Sequence, residues 1–260
     1  MPLLRNIAAP YWAEFIGTMV LAVVGLGSTA QNLVGTSAHR TEAVGSSLAW
    51  GLGTTLGIWV SAHTSGGHIN PAVTVARTLF SGFPRAKVGG YIAAQMLGAF
   101  VGALIVWINY RAPLAALDHK HLGLHPATGV FITSNDTCYG IIGEVSAGFL
   151  FVLAAFAITD HRSQSSAAKP ITPLAIGLAF TATSLALSSP MRLAANPARD
   201  FAPRLFAALA YGLDVFADAS FYFWVPLVAP TAGGILGAFV YEWLVKKNAQ
   251  YQHFLEEAEE

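Results

Sequence analysis

The sequence predicts an all-α membrane protein with six transmembrane helices and two re-entrant half-helices in an inverted repeat. Three observations predict it. The 260-residue chain is 54% hydrophobic and only 11% charged, where an ordinary soluble domain has about 25% charged residues, and its mean hydropathy is +0.54. Six windows, 15–39, 43–76, 88–110, 145–159, 170–191 and 219–241, contain no Asp, Glu, Lys or Arg. Short motifs recur in the same order in the two halves of the chain, each half holding an odd number of spans.

The same composition excludes several function classes. Lys and Arg number 14 and Asp and Glu number 14, so no basic excess points to nucleic acid as a partner. A single cysteine, Cys138, allows no intrachain disulfide, and no Cys/His cluster has metal-ligand spacing. Neither a metal nor an organic cofactor is expected. No nucleophile, base and oxyanion set assembles outside the apolar spans, so the chain does not read as an enzyme.

A spanning helix takes roughly 17 to 25 apolar residues, which most of the windows supply. The first is expected to stay in the mature protein, because Glu14 sits inside an apolar run too long for a signal sequence. The second, at 34 residues, would be about 50 Å long as one helix, far beyond the bilayer core, so it has to break. The break is His63-Thr64-Ser65-Gly66-Gly67-His68-Ile69-Asn70-Pro71, where two glycines and an Asn-Pro step stop the helix. The expectation is a crossing over about 43–62 and a short helix from Ala72 to Phe80. The third window, 88–110, and the fourth, opened by Glu144, read as crossings. The fifth crosses over 171–188, is interrupted at Ser188-Ser189-Pro190, and is followed by a short helix from Asn196-Pro197-Ala198 to about 208. The sixth window completes the set. Irregular backbone at membrane depth is tolerated only where protein buries it or it lines a wet cavity, so two breaks imply a lined pathway.

The halves repeat. Leu48-Ala49-Trp50-Gly51-Leu52 and Leu174-Ala175-Ile176-Gly177-Leu178 share a pattern at an offset of 126, and Asn70-Pro71-Ala72 and Asn196-Pro197-Ala198 recur at the same offset of 126. Leu97-Gly98-Ala99-Phe100-Val101 returns as Leu236-Gly237-Ala238-Phe239-Val240, and Glu14 has Glu144 as its counterpart. The expected organisation is one channel domain over 1–260 with repeats at about 8–125 and 135–248. Three spans per half invert the second copy, placing a pseudo-twofold axis in the membrane plane. Seven loop cations (Arg5, Arg85, Lys87, Arg162, Lys169, Lys246, Lys247) lie on the side of the termini, against three (Arg40, Arg111, Lys120) opposite. The positive-inside rule then puts both termini in the cytoplasm.

At each Asn-Pro-Ala, asparagine suits the N-cap and proline the first helical position, where a missing N–H costs nothing. Two half-helices entering from opposite faces would bring their positive dipole ends together near the midplane, with the amides of Asn70 and Asn196 donating to a neutral oxygen. Unwound Gly66-Gly67-His68 and Arg192-Leu193-Ala194 would offer backbone carbonyls as acceptors. Donors at the centre with acceptors leading to it suit water or a small polyol, and the positive centre repels protons and cations.

The phrases Ser65-Gly66-Gly67-His68-Ile69-Asn70-Pro71-Ala72-Val73-Thr74 and Asn196-Pro197-Ala198-Arg199-Asp200-Phe201-Ala202-Pro203-Arg204 resemble those of the major intrinsic protein (aquaporin) family. The resemblance, over residues 10 to 247, implies the hourglass fold, a homotetramer with one pore per subunit, and Arg199 at an outer constriction. Within that family the chain is similar to the glycerol facilitators (aquaglyceroporins). Asp200, Arg204 and Pro226-Leu227 are of the glycerol type, Trp50 stands where water-selective members usually carry Phe, and Ser184 where they usually carry His. Two positions depart from the facilitator pattern: Leu193 replaces an aromatic, and Arg192 replaces glycine. A wider, less shape-selective aperture is expected from the smaller Leu193.

Other residues divide between structural and functional readings. Asp200 and Arg204 have i, i+4 spacing and read as an ion pair shaping the loop. His68 is either a carbonyl donor to the pore or a packing residue. Glu14 and Glu144, the acids deep in the spans, are functional candidates by position, but the reading favoured here is structural, each accepting hydrogen bonds from the unwound backbone of its own half. Gly98/Gly102 and Gly233/Gly237 make GxxxG faces for helix crossings. Trp59, Trp107, Trp224 and Trp243 suit the membrane interface or lipid, and His119, His121 and His125 suit an exposed loop. Three functions remain open: a passive channel for glycerol, water and related small neutral solutes; a water-selective pore; and a proton-coupled transporter relaying through Glu14 and Glu144.

Overall fold

The computed structural model describes residues 2–35, 42–119, 125–134, 136–160, 169–188, 193–217 and 221–248. Eight α-helices form among them: α1 (Pro2–Val34), α2 (Glu42–Ser65), α3 (Pro71–Phe80), α4 (Arg85–His119), α5 (Thr137–Thr159), α6 (Thr172–Leu187), α7 (Pro197–Tyr211) and α8 (Val225–Phe239), the last continued by a π-helical stretch, Val240–Lys246. The described residues contain no strand. Two of the eight, α3 and α7, start at the Asn-Pro-Ala repeats.

Four stretches are long and apolar enough to cross a membrane: Ala8–Val34, Arg85–His119, Thr137–Thr159 and Tyr222–Lys246. Of the remaining two, α2 is less apolar and α6 is shorter, and they pack on each other across the two halves, as α4 does on α7 and α3 on α8. A side chain added at Gly51 would strike the Thr181 side chain and the Gly177 carbonyl, and one added at Gly177 would strike Thr55 and the Gly51 carbonyl. Gly51/Gly177 and Thr55/Thr181 are each 126 apart, so this crossing lies on the pseudo-twofold axis.

Around this pair, α1 packs on α2 and α4, and α5 on α6 and α8. The GxxxG faces make those outer crossings: Gly98 abuts the backbone of Phe15 and Gly102 that of Met19, while Gly233 abuts Val145 and Gly237 abuts Phe149. These contacts correct one part of the repeat. With Glu14 matched to Glu144, Phe15 matches Val145 and Met19 matches Phe149, so Gly98 corresponds to Gly233. The identical pentapeptides at 97–101 and 236–240 are therefore one helical turn out of structural register. Trp59, Trp224 and Trp243 are exposed, whereas Trp107 turns inward, its ring 6.0 Å from that of Phe206 on α7.

Each half-helix is built by its cap. Asn70 and Asn196 are extended, with φ of −156° and −153°, and their side-chain oxygens accept from the N–H of Ala72 and Ala198, both at 2.9 Å. This satisfies one of the unpaired amides that every helix start exposes. α3 stops at Ser81, followed by Gly82 at φ 70°, and α7 stops at Gly212 at φ 109°, conformations that glycine reaches without steric cost.

Candidate functional site

The two caps face one another. Asn70 Nδ2 donates to the carbonyl of Ala195 at 3.0 Å, and Asn196 Nδ2 donates to the carbonyl of Ile69 at 2.9 Å. The amides are thus partly engaged: each oxygen caps its own helix and one amide hydrogen ties down the opposite loop, leaving a second hydrogen per amide for a solute. Ile69 and Ala195, themselves 126 apart, have φ of 43° and 52°, a left-handed conformation that costs a β-branched or alanine residue roughly 1–3 kcal/mol. That turn aims each carbonyl at the partner asparagine.

Two buried carboxylates hold the strained turns. Glu14 accepts from the N–H of His68 at 2.9 Å and of Ile69 at 2.7 Å; Glu144 accepts from Ala194 at 2.6 Å and Ala195 at 2.8 Å. Both glutamates are wholly buried. Glu14 also accepts from Ser65 Oγ at 2.6 Å and Gln95 Nε2 at 2.7 Å. Carboxylates tied this way are fixed acceptors for backbone, a role opposed to that of a relay that must exchange protons with a moving solute.

Three cavities follow one another past this junction. A vestibule of about 580 Å³ on the side away from the termini is bordered by Trp50, Ser184, Leu193 and Arg199. Those four residues also border the next space, of about 10 Å³, together with Phe180, which is near the minimum that holds one water. Phe180 then borders a third cavity of about 50 Å³, with Asn196, Asn70, Gly66, Gly67 and His68. In the narrow space the Arg199 guanidinium carbon lies 4.1 Å from the centre of the Trp50 ring. Leu193 is buried there, beside the guanidinium that lies over the tryptophan. Ser184 Oγ donates to Ser47 Oγ at 2.9 Å and lies 3.2 Å from Ser188 Oγ, so a row of hydroxyls leads from the vestibule to the narrow point.

Comparison with known proteins decides the family. The profile described as "Major intrinsic protein" matches residues 5–241. The chain is 38% identical over 258 residues to an aquaglyceroporin-2 of Rhizophagus irregularis, covering 93% of this chain and 81% of that protein. It is 39% identical over 242 residues to an aquaglyceroporin-3 of Trypanosoma brucei brucei, covering 90% and 78%. The X-ray structure of the aquaglyceroporin from Plasmodium falciparum superposes with a TM-score of 0.82 at 29% identity, covering 92% of this chain and 96% of that one.

The chain belongs to the major intrinsic protein family. It is an integral membrane protein of the aquaporin fold. In this major intrinsic protein, Asp200 and Arg204 pair at 3.0 Å with no exposure, and both fasten α7 to neighbouring loops. Asp200 accepts from the N–H and hydroxyl of Thr133 at 2.6 and 2.5 Å, while Arg204 donates to the carbonyls of Val215 and Thr133, both at 2.6 Å. Neither is among the described residues bordering the three cavities. His68 packs between Phe83 and Tyr91, ring centres 4.7 and 5.2 Å away, with Nδ1 3.2 Å from Thr74 Oγ1, and it still borders the third cavity. Ala194 is fully buried, its N–H held by Glu144. Arg192 and His121 lie outside the described residues; His119 closes α4, and His125 Nδ1 is 3.6 Å from Asp118.

The sequence reading missed Phe180, Thr54 and Ile176, which border the third cavity. A signal for them existed. Trp50, Thr54 and Ile58 on α2, and Ile176, Phe180 and Ser184 on α6, are each spaced by four and matched between helices at an offset of 126, so both stripes follow from stepping one turn at a time from Trp50 and Ser184.

Proposed function

We propose that the chain is a passive transmembrane channel for glycerol and related small neutral solutes, one that also passes water and excludes protons and ions. The observation that carries this reading is the line of cavities: a hydroxyl-lined vestibule, a narrow point with Trp50 and Leu193 as apolar walls and Arg199 as donor, and two asparagine amides beyond. A polyol has an apolar carbon edge and a polar hydroxyl edge, and such a slot matches both. The aquaglyceroporin names of the relatives from Rhizophagus irregularis and Trypanosoma brucei brucei support the same solute class. Two opposed helix N-termini and Arg199 supply positive potential against protons and cations. Glu14 and Glu144 act as braces for the loops, which removes the motive for proton coupling.

In this reading the site residues are Trp50, Leu193, Ser184 and Arg199 at the narrow point, Asn70 and Asn196 at the junction, and Gly66, Gly67, His68, Arg192 and Ala194 along the unwound loops, with Glu14, Glu144, Asp200 and Arg204 supporting. The repeats at about 8–125 and 135–248 form one channel domain, the protein sits in the cell membrane with both termini cytoplasmic, and it assembles as a homotetramer in the bilayer. The test is stopped-flow light scattering on proteoliposomes under glycerol, urea and sucrose gradients. Fast glycerol shrink-and-reswell kinetics with sucrose excluded are expected; uphill uptake dependent on a proton gradient would overturn the reading.

A further inference from the structure

The cavity on the termini side carries a charge to which the channel reading gives no task. Arg77, two turns into α3 from Asn70, borders the same cavity of about 50 Å³ as Gly66, Gly67, His68 and both asparagines. Its side chain is anchored: Nη2 donates to Thr159 Oγ1 at 2.7 Å, and Cζ lies 4.9 Å from the centre of the Phe156 ring. Thr159 in turn donates to the Ala155 carbonyl at 2.6 Å. Among the described residues two acids lie on this side: Glu242, whose charge reaches Arg77 and which is engaged with Lys246 at 2.8 Å, and Asp160, the residue after Thr159, which accepts from the Tyr241 hydroxyl at 2.9 Å. Glu14, the buried acid of this half, is taken up by backbone and side-chain donors.

Arg77 and Arg199 therefore form a matched arrangement about the junction. Each comes from a half-helix, each rests on an aromatic ring supplied by a long helix, and each borders the pathway on its own side of Asn70 and Asn196. They are not repeat mates, because the offset of 126 leads from Arg77 to Pro203. The repeat does not dictate the second arginine, so its place calls for a separate reason.

Resting on the channel reading, we propose that Arg77 is a second cation barrier on the termini side of the pore, in series with Arg199. A fixed unit charge a few ångströms from a narrow path acts through low effective dielectric and little screening. With two barriers in series, the higher limits the leak. Removing Arg199 alone leaves Arg77 to hold cations back, and removing both exposes the full loss.

The test compares proton and sodium conductance with glycerol flux in proteoliposomes for the wild type, Arg199→Ala, Arg199→Ala/Arg77→Ala and Arg199→Ala/Arg77→Lys. The Arg77→Ala double variant is expected to leak about tenfold more than Arg199→Ala, and the lysine double variant no more than Arg199→Ala. Arg199→Ala/Arg77→Gln, which keeps a donor for Thr159 without the charge, carries the test where the alanine variant fails to assemble. Glycerol flux through a variant certifies assembly. A double variant that passes glycerol and leaks no more than Arg199→Ala overturns the inner barrier alone; wild-type protein that assembles and passes no glycerol overturns the channel reading and the barrier with it.

Discussion

The guanidinium carbon of Arg199 lies 4.1 Å from the centre of the Trp50 ring. A cation–π contact at such a partly exposed site contributes about 0.5–1 kcal/mol, which favours the charge resting at the narrow point. Arg199→Ala is expected to raise proton and cation conductance by no more than the remaining barrier at Arg77 allows, with the full loss in Arg199→Ala/Arg77→Ala. Trp50→Leu keeps the charge but frees it to move, so it should leak less than Arg199→Ala while losing glycerol selectivity. Conductance and solute flux measured on the same proteoliposomes check both; a conductance of Arg199→Ala/Arg77→Ala equal to that of Arg77→Ala would remove Arg199 from the barrier.

The reciprocal bonds of Asn70 to Ala195 and Asn196 to Ile69 make the asparagines structural ties, and in the channel reading they are solute donors too. Asn70→Asp or Asn196→Asp would set a carboxylate oxygen against a carbonyl oxygen and place negative charge beside two positive helix ends. Loss of the bond costs about 1–3 kcal/mol with its partner left buried. The expected outcome is a lower unfolding temperature in detergent together with weaker cation exclusion. Variants with wild-type stability and intact exclusion would show that the amides neither tie the loops nor face the path.

At the Gly51–Gly177 crossing, even a methyl group has no space. Two helices held by their own partners cannot both retreat, and overpacking costs typically about 1–3 kcal/mol. Gly51→Ala and Gly177→Ala should each lower the unfolding temperature by several degrees and reduce glycerol flux, because Trp50 and Ile176 sit one residue before these glycines. Gly27→Ala, where nothing lies within 4 Å, is the control expected to leave both unchanged. Equal behaviour of all three variants would contradict the crossing.

Much of this architecture was legible in the chain, and the exceptions have physical causes. The offset of 126 aligns Gly51 with Gly177, Thr55 with Thr181, and Asn70 with Asn196, because a crossing on the axis and the caps beside it permit few residue types. The pentapeptides 97–101 and 236–240 misled by one turn, since a face with glycine every four residues matches itself in either register and only contacts with α1 and α5 decide. The left-handed Ile69 and Ala195 had no signal at all. Nothing in isoleucine or alanine favours positive φ, and the turns exist because Glu14 and Glu144 hold their N–H groups while the opposite asparagines hold their carbonyls. The Asp200–Arg204 pair was legible from its spacing, but its bonds to Thr133 and Val215 join segments distant in sequence.

Leu193 tests the narrow point most directly. Its size predicts an aperture wider than two aromatics would leave, and it shares a space of about 10 Å³ with Trp50, Phe180 and Arg199. The guanidinium lies over Trp50, and in the channel reading Leu193 is the second apolar wall. Leu193→Phe would add a larger ring to a wall that already has room for about one water, so the aromatic must press toward Arg199 and Trp50. Permeability to longer polyols is expected to fall first and most, glycerol next and water least, sharpening the glycerol preference over four- and five-carbon polyols severalfold. Leu193→Ala should act in the opposite sense, raising longer-polyol and urea permeability relative to water. Stopped-flow measurements across a polyol series separate these outcomes. An unchanged permeability order in both variants would place Leu193 off the solute path and leave Phe180, which borders the two inner cavities, as the wall facing Trp50.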